Sequence, residues 1–419
     1  MSDVVVVGGG VMGSATAWQL ASRGFAVTLL ERATPGHTEG SSHGSSRIFR
    51  LAYPQPFYVS LAARALPLWR RVERESGREL LTLTGAVDHG APESIRELHA
   101  QLSVAGHAAR ILNPDQAAER WPGLRFDAGV LFHAAAGRIH ADDAVLAFQQ
   151  AAVVRGAEVR HRVRVAKVLR ARAGGVEVVT DDGEVVTADA AVIAVGGWAS
   201  GLAARSVSGL PPLRVTREQP IHFPAADPLN WPSFIHHPGA GLRAGAGVYG
   251  TGSPDGVKVG FHGVGPVVHP DARPGGIDPA AQRRVQEYAD FWLPGVDSRT
   301  PTATTCLYTT TPDHDFVVDR DGPITVLAGF SGHGFKFAPA IGSLAADLVA
   351  GHPGVGRFAL GRTFASVPES TPTPAPVSTP TPAPALRSAR RRQKVISGPV
   401  RIQLRRHGDR IDRGNDRRE

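Results

Sequence analysis

Cysteine is almost absent from this 419-residue chain, whose single thiol is Cys306. An internal disulfide is therefore excluded, and a reducing, cytoplasmic location is the simplest expectation. Long apolar runs are missing too: the best candidate, residues 190–204, contains three glycines, so we expect no membrane span. No basic leader precedes the first apolar residues, which argues against a signal peptide.

A basic face on the folded part of the chain is also missing, although the formal net charge is +8. Residues 387–419 hold 12 of the 46 Lys and Arg and 4 of the 38 Asp and Glu residues, so the rest holds 34 of each sign. Residues 371–384 are a Thr/Pro/Ala repeat that favours polyproline conformations. We expect 367–419 to be a disordered tail, with nucleic-acid binding confined to it if it occurs.

Hydrophobic periodicity predicts a mixed α/β fold of two or three units for the remaining residues. The predicted strands are 4–7, 26–30, 157–165, 176–180 and 190–195. The predicted helices are 12–23, 58–76, 142–155 and, after the glycines of 329–334, about 339–350. Asp142 or a neighbour is placed to cap the third helix.

The sharpest local motif lies between the first strand and the first helix. Gly8, Gly10 and Gly13 form a GxGxxG fingerprint, which allows a tight turn, close approach to a pyrophosphate and close helix packing. Glu31 ends the second strand, where a carboxylate can accept hydrogen bonds from a ribose. These features predict a dinucleotide site. One such site before a long α/β body favours FAD over NAD, because FAD is itself the redox centre.

Five segments together resemble the family of monomeric sarcosine oxidase and N-methyltryptophan oxidase, flavoproteins of the D-amino acid oxidase superfamily. The resemblance covers about residues 3–360. Its carriers are the fingerprint at 8–31, GSSHGSSRIFRLAY at 40–53, VYG…VKVGFH at 248–262, CLYTTTPDHDFVVD at 306–319 and GFSGHGFKF at 329–337.

The resemblance implies a glutathione-reductase-like FAD domain and a smaller substrate domain with a mostly antiparallel sheet. The expected FAD domain comprises 1–85, 145–215 and 300–366, and the substrate domain comprises 86–144 and 216–299. We expect a monomer and no metal site, because the adjacent His236 and His237 have no suitably spaced partner.

Cys306 matches the position at which relatives of this family link a thiol to the flavin 8α-methyl group. A thiolate is a strong soft nucleophile, and the electron-poor methyl group of oxidised flavin is a suitable target. The alternative is a buried structural cysteine, the usual fate of a lone thiol. The resemblance therefore implies FAD held covalently at Cys306.

Further site residues follow from the resemblance. Arg50 and Lys336 match a pair that binds the substrate carboxylate. Lys258 matches a cation that assists reduction of O₂, the alternative being an edge-strand lysine. His262 and Tyr249 match substrate-contacting residues, and Arg47 matches a residue near the flavin ring. The implied cofactor contacts are Gly8, Gly10, Val11, Met12, Gly13, Glu31, Arg32, His43, Ser46, Arg47, Cys306, Tyr308, Gly332, His333, Gly334 and Lys336.

The sequence departs from its relatives in the second segment and at the residue that follows it. Ser45 stands where an Asp is usual, Leu51 where a His is common, and Pro54 where a Gly is usual. Residues 220–247 match poorly and are expected to shape the substrate pocket. These differences leave the type of reaction unchanged but put sarcosine itself in doubt.

The resemblance implies oxidation of a secondary amine that carries a carboxylate, most simply an N-methyl amino acid. A hydride equivalent passes to flavin N5 and then to O₂, giving an imine, which hydrolyses, and hydrogen peroxide. One alternative is a flavin oxidase or dehydrogenase of another amino acid or cyclic imine in a biosynthetic pathway. Another is a non-catalytic flavoprotein that binds a partner or nucleic acid through its basic tail.

Overall fold

The computed structural model describes residues 3–238, 247–273 and 275–364. The predicted tail at 367–419 lies outside these residues. The helices are α1 (Val11–Ser22), α2 (Pro56–Ser76), α3 (Pro92–Val104), α4 (Pro114–Arg120), α5 (Ala141–Val153), α6 (Ala199–Ser206), α7 (Pro279–Trp292) and α8 (Ala338–Val349). None of the helices in the described ranges is long and apolar enough to cross a membrane.

The strands form sheets of different architecture. In chain order they are β1 (Asp3–Val7), β2 (Ala26–Glu31), β3 (Arg47–Phe49), β4 (Leu81–Thr82), β5 (Ala86–Gly90), β6 (Arg110–Leu112), β7 (Val130–His133), β8 (Gly137–Ile139), β9 (Glu158–His161), β10 (Val165–Arg170), β11 (Val176–Thr180), β12 (Val185–Ala188), β13 (Ala190–Ile193), β14 (Arg214–Glu218), β15 (Ile221–Phe223), β16 (Ser233–His237), β17 (Val248–Ser253), β18 (Gly256–Phe261), β19 (Thr302–Ala303), β20 (Cys306–Thr310), β21 (Val317–Asp321) and β22 (Ile324–Ala328).

The nucleotide-binding motif lies on a six-stranded sheet with the order β21-β22-β13-β1-β2-β9. All its neighbouring strands are parallel except β21 and β22. Val4 and Val6 face a core shared with α1, α5 and α8, whereas Val5 and Val7 face α6 and the three-stranded sheet β10-β11-β12. Burial on both faces explains why β1 is an uninterrupted run of valines.

Aromatic side chains fill the core between the helices on one face of this sheet. Trp18 of α1 and Trp69 of α2 are fully buried, and their rings lie 5.4 and 5.2 Å from the ring of Phe148 in α5. Buried aromatic pairs of this kind contribute about 0.5–1.5 kcal/mol beyond the area that they bury. They fix α1, and with it the fingerprint, against the sheet.

The second large sheet has eight strands in the order β19-β15-β18-β17-β16-β5-β7-β6. Its pairs are antiparallel except β16 with β5. One face packs against α7, and Val87, Phe234, Val257 and Val259 belong to that core. Because side chains alternate along a strand, Asp88, Tyr249 and Lys258 lie on the opposite face. That face is where polar groups collect.

The predicted mixed α/β fold is confirmed, with two local corrections. The strand predicted at 157–165 is divided into β9 and β10, because Arg162 adopts a left-handed conformation with φ of 62°. Helix α5 begins at Ala141 and is capped by His140, whose Nδ1 accepts a hydrogen bond from the Asp143 N–H at 3.3 Å. The predicted boundaries between the two domains stay a prediction.

Candidate active site

The glycine fingerprint permits contacts that no larger residue would allow. A Cβ at Gly13 would lie 1.8 Å from the carbonyl oxygen of Gly8, so only glycine lets α1 approach β1 this closely. Gly8 itself has a φ of 104° and passes close to the carbonyl of Ala194. Gly10 has no side chain that could cap α1, so the positive end of the helix dipole faces the turn.

Glu31 is buried at the end of β2 and braces this turn. Its Oε2 accepts a hydrogen bond from the Gly9 N–H at 2.6 Å, and its Oε1 accepts one from the Ala33 N–H at 2.8 Å. A carboxylate bonded to two backbone N–H groups is held in one orientation. Arg32, also predicted as a cofactor contact, pairs with Asp271 at 3.0 Å and lies over the ring of Trp198.

A serine-rich loop at 41–46 connects the fingerprint to the rest of the site. Ser42 Oγ accepts a hydrogen bond from the Val11 N–H at 3.0 Å, and Ser41 Oγ donates to the Leu307 carbonyl at 2.6 Å. The guanidinium of Arg47 donates to the carbonyls of Ser41, His43 and Ser46 at 2.7–2.9 Å. Arg47 therefore fixes the conformation of the loop by bonding to the backbone carbonyls of the loop.

The same loop carries buried polar atoms that no protein group satisfies. They are Ser45 Oγ, Ser46 Oγ and His43 Nε2. Buried polar atoms in native proteins normally have a partner, so unpaired atoms beside a dinucleotide fingerprint fit a bound FAD. Asp142 accepts a hydrogen bond from the Gly44 N–H at 2.9 Å, which supplies a carboxylate to the loop although Ser45 replaces the usual Asp.

Lys258 lies beside this loop in the middle of β18. It is 7% exposed, and its Nζ donates to the carbonyl of Ser46 at 3.2 Å. Burial, aided by the charge of Arg47, lowers the pKa of Lys258 from 10.5 to about 7. A lysine with such a pKa in a polar site is typical of a functional group rather than a surface charge.

Cys306 begins β20, where it pairs in register with Glu218 of β14. Its thiol is free, and burial raises its pKa, whereas the charges of Arg47 and Lys258 act in the opposite direction. Both cations therefore favour the thiolate, which is the nucleophilic form. The charges of Lys258 and Arg47 act on the thiol of Cys306, so the three side chains lie in the same part of the site.

Two tyrosines and a histidine lie next to this group. Burial raises the pKa values of Tyr249 and Tyr308, each of which also affects the other, and the ring of Tyr308 lies 5.3 Å from that of His262. Burial lowers the pKa of His262 to about 4, so its ring is neutral at pH 7. Gly332, with a φ of 75°, allows the ring of Tyr308 to pass where a Cβ would lie 2.2 Å from it.

A second group of basic side chains lies against Tyr53. Lys336 Nζ donates to the Tyr53 hydroxyl at 2.8 Å and to the His333 carbonyl at 2.6 Å, and the guanidinium carbon of Arg50 lies 4.5 Å from the Tyr53 ring centroid. Burial, and next the charge of Arg50, hold the pKa of Lys336 well below its ordinary value. Lys336 and Arg50 both act to lower the pKa of His262, so the group around Tyr53 adjoins the group that contains Tyr308 and His262.

Sequence reasoning did not single out Asp88 and did not place His237 in this region. Asp88 of β5 is fully buried, and its Oδ1 lies 3.5 Å from Arg50 Nη1 and 2.8 Å from His237 Nε2. No strand was predicted at residues 86–90, so no sequence signal indicated the burial of Asp88. His236, in contrast, faces the α7 core, where its Nδ1 lies 3.1 Å from the Tyr288 hydroxyl. The described ranges hold no cluster of three or more metal-ligating side chains.

The chain is similar to several known proteins. Residues 3–348 match the model of a family described as FAD dependent oxidoreductase. The chain is 35% identical over 372 residues to a monomeric sarcosine oxidase of Streptomyces avermitilis, covering 83% of this chain and 93% of that one. It is 29% identical over 376 residues to N-methyl-L-tryptophan oxidase of Yersinia pestis, covering 86% of this chain and 99% of that one.

Among solved structures, NikD, described as an unusual amino acid oxidase essential for nikkomycin biosynthesis, aligns with a TM-score of 0.74 at 27% identity. The alignment covers 86% of this chain and 98% of NikD. The resemblance found from the sequence is thereby confirmed. The chain belongs to the FAD dependent oxidoreductase family, among the relatives of monomeric sarcosine oxidase and N-methyl-L-tryptophan oxidase.

Proposed function

We propose that this protein oxidises a secondary amine that carries a carboxylate, most simply an N-methyl amino acid. The observation that carries the proposal is that two groups of basic side chains adjoin each other. Arg50 and Lys336 surround Tyr53, whereas Lys258 and Arg47 adjoin the lone thiol of Cys306. The first group suits an anionic substrate, and the second suits a redox ring and dioxygen.

Arg50 and Lys336 would bind the substrate carboxylate. Burial and the nearby guanidinium disfavour the charged form of Lys336, so an incoming anion would raise the pKa of this lysine and favour its protonation. His262, neutral at pH 7 because its pKa is about 4, can accept a hydrogen bond from the substrate amine without repelling it. Tyr249 would close the pocket on the side of the large antiparallel sheet.

FAD, when bound, supplies the two-electron chemistry that converts the amine to an imine. The residues that would hold it are the fingerprint glycines, Glu31 and the unsatisfied groups of the 41–46 loop. Cys306 would form a thioether to the flavin 8α carbon, with loss of the thiol proton and of one 8α hydrogen and with O₂ as the two-electron oxidant. Arg47 and Lys258 would favour the thiolate. Lys258 would stabilise the negative charge that develops on dioxygen, and hydrogen peroxide would be the second product.

The covalent link is tested by precipitating the purified protein with acid. We expect the yellow colour to stay with the pellet of the natural protein and to move to the supernatant for Cys306→Ser. Flavin released from the natural protein would refute the link, although not the FAD dependence.

The role of Lys258 is tested by stopped-flow measurement of flavin reoxidation by O₂. We expect Lys258→Met to slow this step by at least 100-fold, about 2.7 kcal/mol of barrier. Lys167→Met is the matched control, because Lys167 is exposed on β10. A Lys258→Met protein that reoxidises at the natural rate would exclude this role.

The substrate class is tested by peroxide production over a panel of N-methyl amino acids, other amino acids and cyclic amines. Activity restricted to N-methyl amino acids supports the main proposal. A second candidate is an oxidase of another amino acid or cyclic imine; the structural similarity to NikD, described as an unusual amino acid oxidase, favours an amino acid other than an N-methyl one. Activity confined to other amino acids or to cyclic amines would support that candidate instead.

A further inference from the structure

A buried carboxylate already lies against the arginine proposed to bind substrate. Asp88 Oδ1 is 3.5 Å from Arg50 Nη1, and the side chain of Asp88 is inaccessible to solvent. Arg50 also donates to the carbonyl of Ala52 and lies over the Tyr53 ring, so its guanidinium is held on several sides. A substrate carboxylate would therefore meet a cation that is partly neutralised from behind.

His237 also contacts this buried carboxylate. Its Nε2 lies 2.8 Å from the same oxygen, Asp88 Oδ1, while Asp88 Oδ2 has no hydrogen-bond partner. The hydrogen bond from His237 and the charge of Arg50 outweigh desolvation and keep the pKa of Asp88 below its ordinary value, so this group is a carboxylate at neutral pH. Arg50 therefore faces Asp88 Oδ1 as an ion-pair partner, and His237 bonds to the same oxygen.

We propose that Asp88 is a positioning residue whose negative charge weakens the binding of a substrate carboxylate by Arg50. His237 limits this effect by hydrogen-bonding to the same oxygen of Asp88. The inference rests on the proposed function, because it requires a carboxylate at Arg50. A partly neutralised arginine releases a small anionic ligand more readily and lowers the advantage of a carboxylate over an uncharged group of the same shape. Asp88 would accordingly set the selectivity of the pocket for anions.

The two residues should have opposite effects when they are replaced. Asp88→Asn keeps the shape and the oxygen acceptor but removes the negative charge, so Arg50 would attract an external carboxylate more strongly. His237→Leu removes the hydrogen-bond donor that competes with Arg50 for Asp88 Oδ1. More of the negative charge of Asp88 would then act on Arg50, so an external carboxylate would bind less tightly. A residue that merely stabilised the fold would not produce changes of opposite sign.

The test is calorimetric titration of the flavin-containing protein with propionate and with propionamide, neither of which is an amine substrate. For Asp88→Asn we expect the Kd of propionate to fall about tenfold, equivalent to about 1.4 kcal/mol, with that of propionamide within twofold. For His237→Leu we expect the Kd of propionate to rise at least threefold. His237→Gln, which retains an N–H donor, is the matched control and should bind like the natural protein.

Arg50→Gln distinguishes the failure of this inference from that of the proposed function. If Arg50→Gln binds propionate as tightly as the natural protein, the carboxylate does not bind at Arg50 and the proposed function loses its support. If Arg50→Gln weakens propionate binding but Asp88→Asn leaves it unchanged or weaker, the role of Asp88 is wrong. The His237→Leu titration gives an independent decision, because that protein retains the charge of Asp88.

Discussion

Replacing Lys258 by methionine should stabilise the protein while impairing its reaction with oxygen. The pKa of Lys258 is lowered from 10.5 to about 7, mainly because the side chain is buried. At about 1.36 kcal/mol per pKa unit, this depression corresponds to about 5 kcal/mol against the charged form. Methionine loses the hydrogen bond to the Ser46 carbonyl, about 1 kcal/mol, so we expect a net gain of about 2–4 kcal/mol.

The pH dependence has a definite sign. Between about pH 7 and 10.5 the unfolded chain holds a proton on Lys258 that the folded protein has lost, so the stability of the natural protein rises with pH across this window. Below pH 7 both states are protonated and the cost of the buried charge is fully present. The advantage of Lys258→Met should therefore be largest at pH 7 and below and should shrink toward pH 10.5.

Urea unfolding of the flavin-containing proteins at pH 6.5, 8 and 9.5 measures this advantage. Lys167→Met is again the control, because an exposed lysine should give a difference near zero at every pH. The reasoning is refuted if Lys258→Met is no more stable than the natural protein at pH 6.5, or if its advantage does not decrease between pH 8 and 9.5.

Three further predictions concern other parts of the site. Gly13→Ala should abolish folding or flavin binding, because the added Cβ would lie 1.8 Å from the Gly8 carbonyl oxygen. The measurement is the ratio of flavin to purified protein. Trp69→Ala should cost about 3–5 kcal/mol of unfolding free energy in urea, because this fully buried ring also donates to the Lys336 carbonyl at 2.8 Å. Propionate binding should be accompanied by proton uptake at Lys336, seen by calorimetry in buffers of different ionisation enthalpy; equal heats would contradict it.

The features that could be predicted from the sequence are those fixed by local geometry. The fingerprint at Gly8, Gly10 and Gly13 needs only one strand, one turn and one helix, and its spacing determines which atoms approach each other. The position of Lys258 between Val257 and Val259 likewise reports a strand with two faces, because alternating side chains separate the apolar core from the polar site. Such patterns lie within a few consecutive residues.

The features that could not be predicted depend on pairing between distant segments. Asp88 meets His237 only because β5 pairs in parallel with β16, placing Asp88 opposite Ile235. No local pattern specifies that register. The break at Arg162 was missed for a different reason, because arginine rarely adopts a φ of 62° and gives no sequence signal for a left-handed residue.

The central place of β1 in its sheet has a consequence for biosynthesis. The first strand of the described chain pairs with β2 on one side and with β13 on the other, and β13 in turn requires β22, which ends at Ala328. When β9 leaves the ribosome, the nascent chain contains three of the six strands. The edge of β1 that will pair with β13 is then still unpaired. Cotranslational folding of this sheet must therefore wait for nearly the whole of the described chain, and the exposed edge invites chaperone binding or strand exchange in the interval.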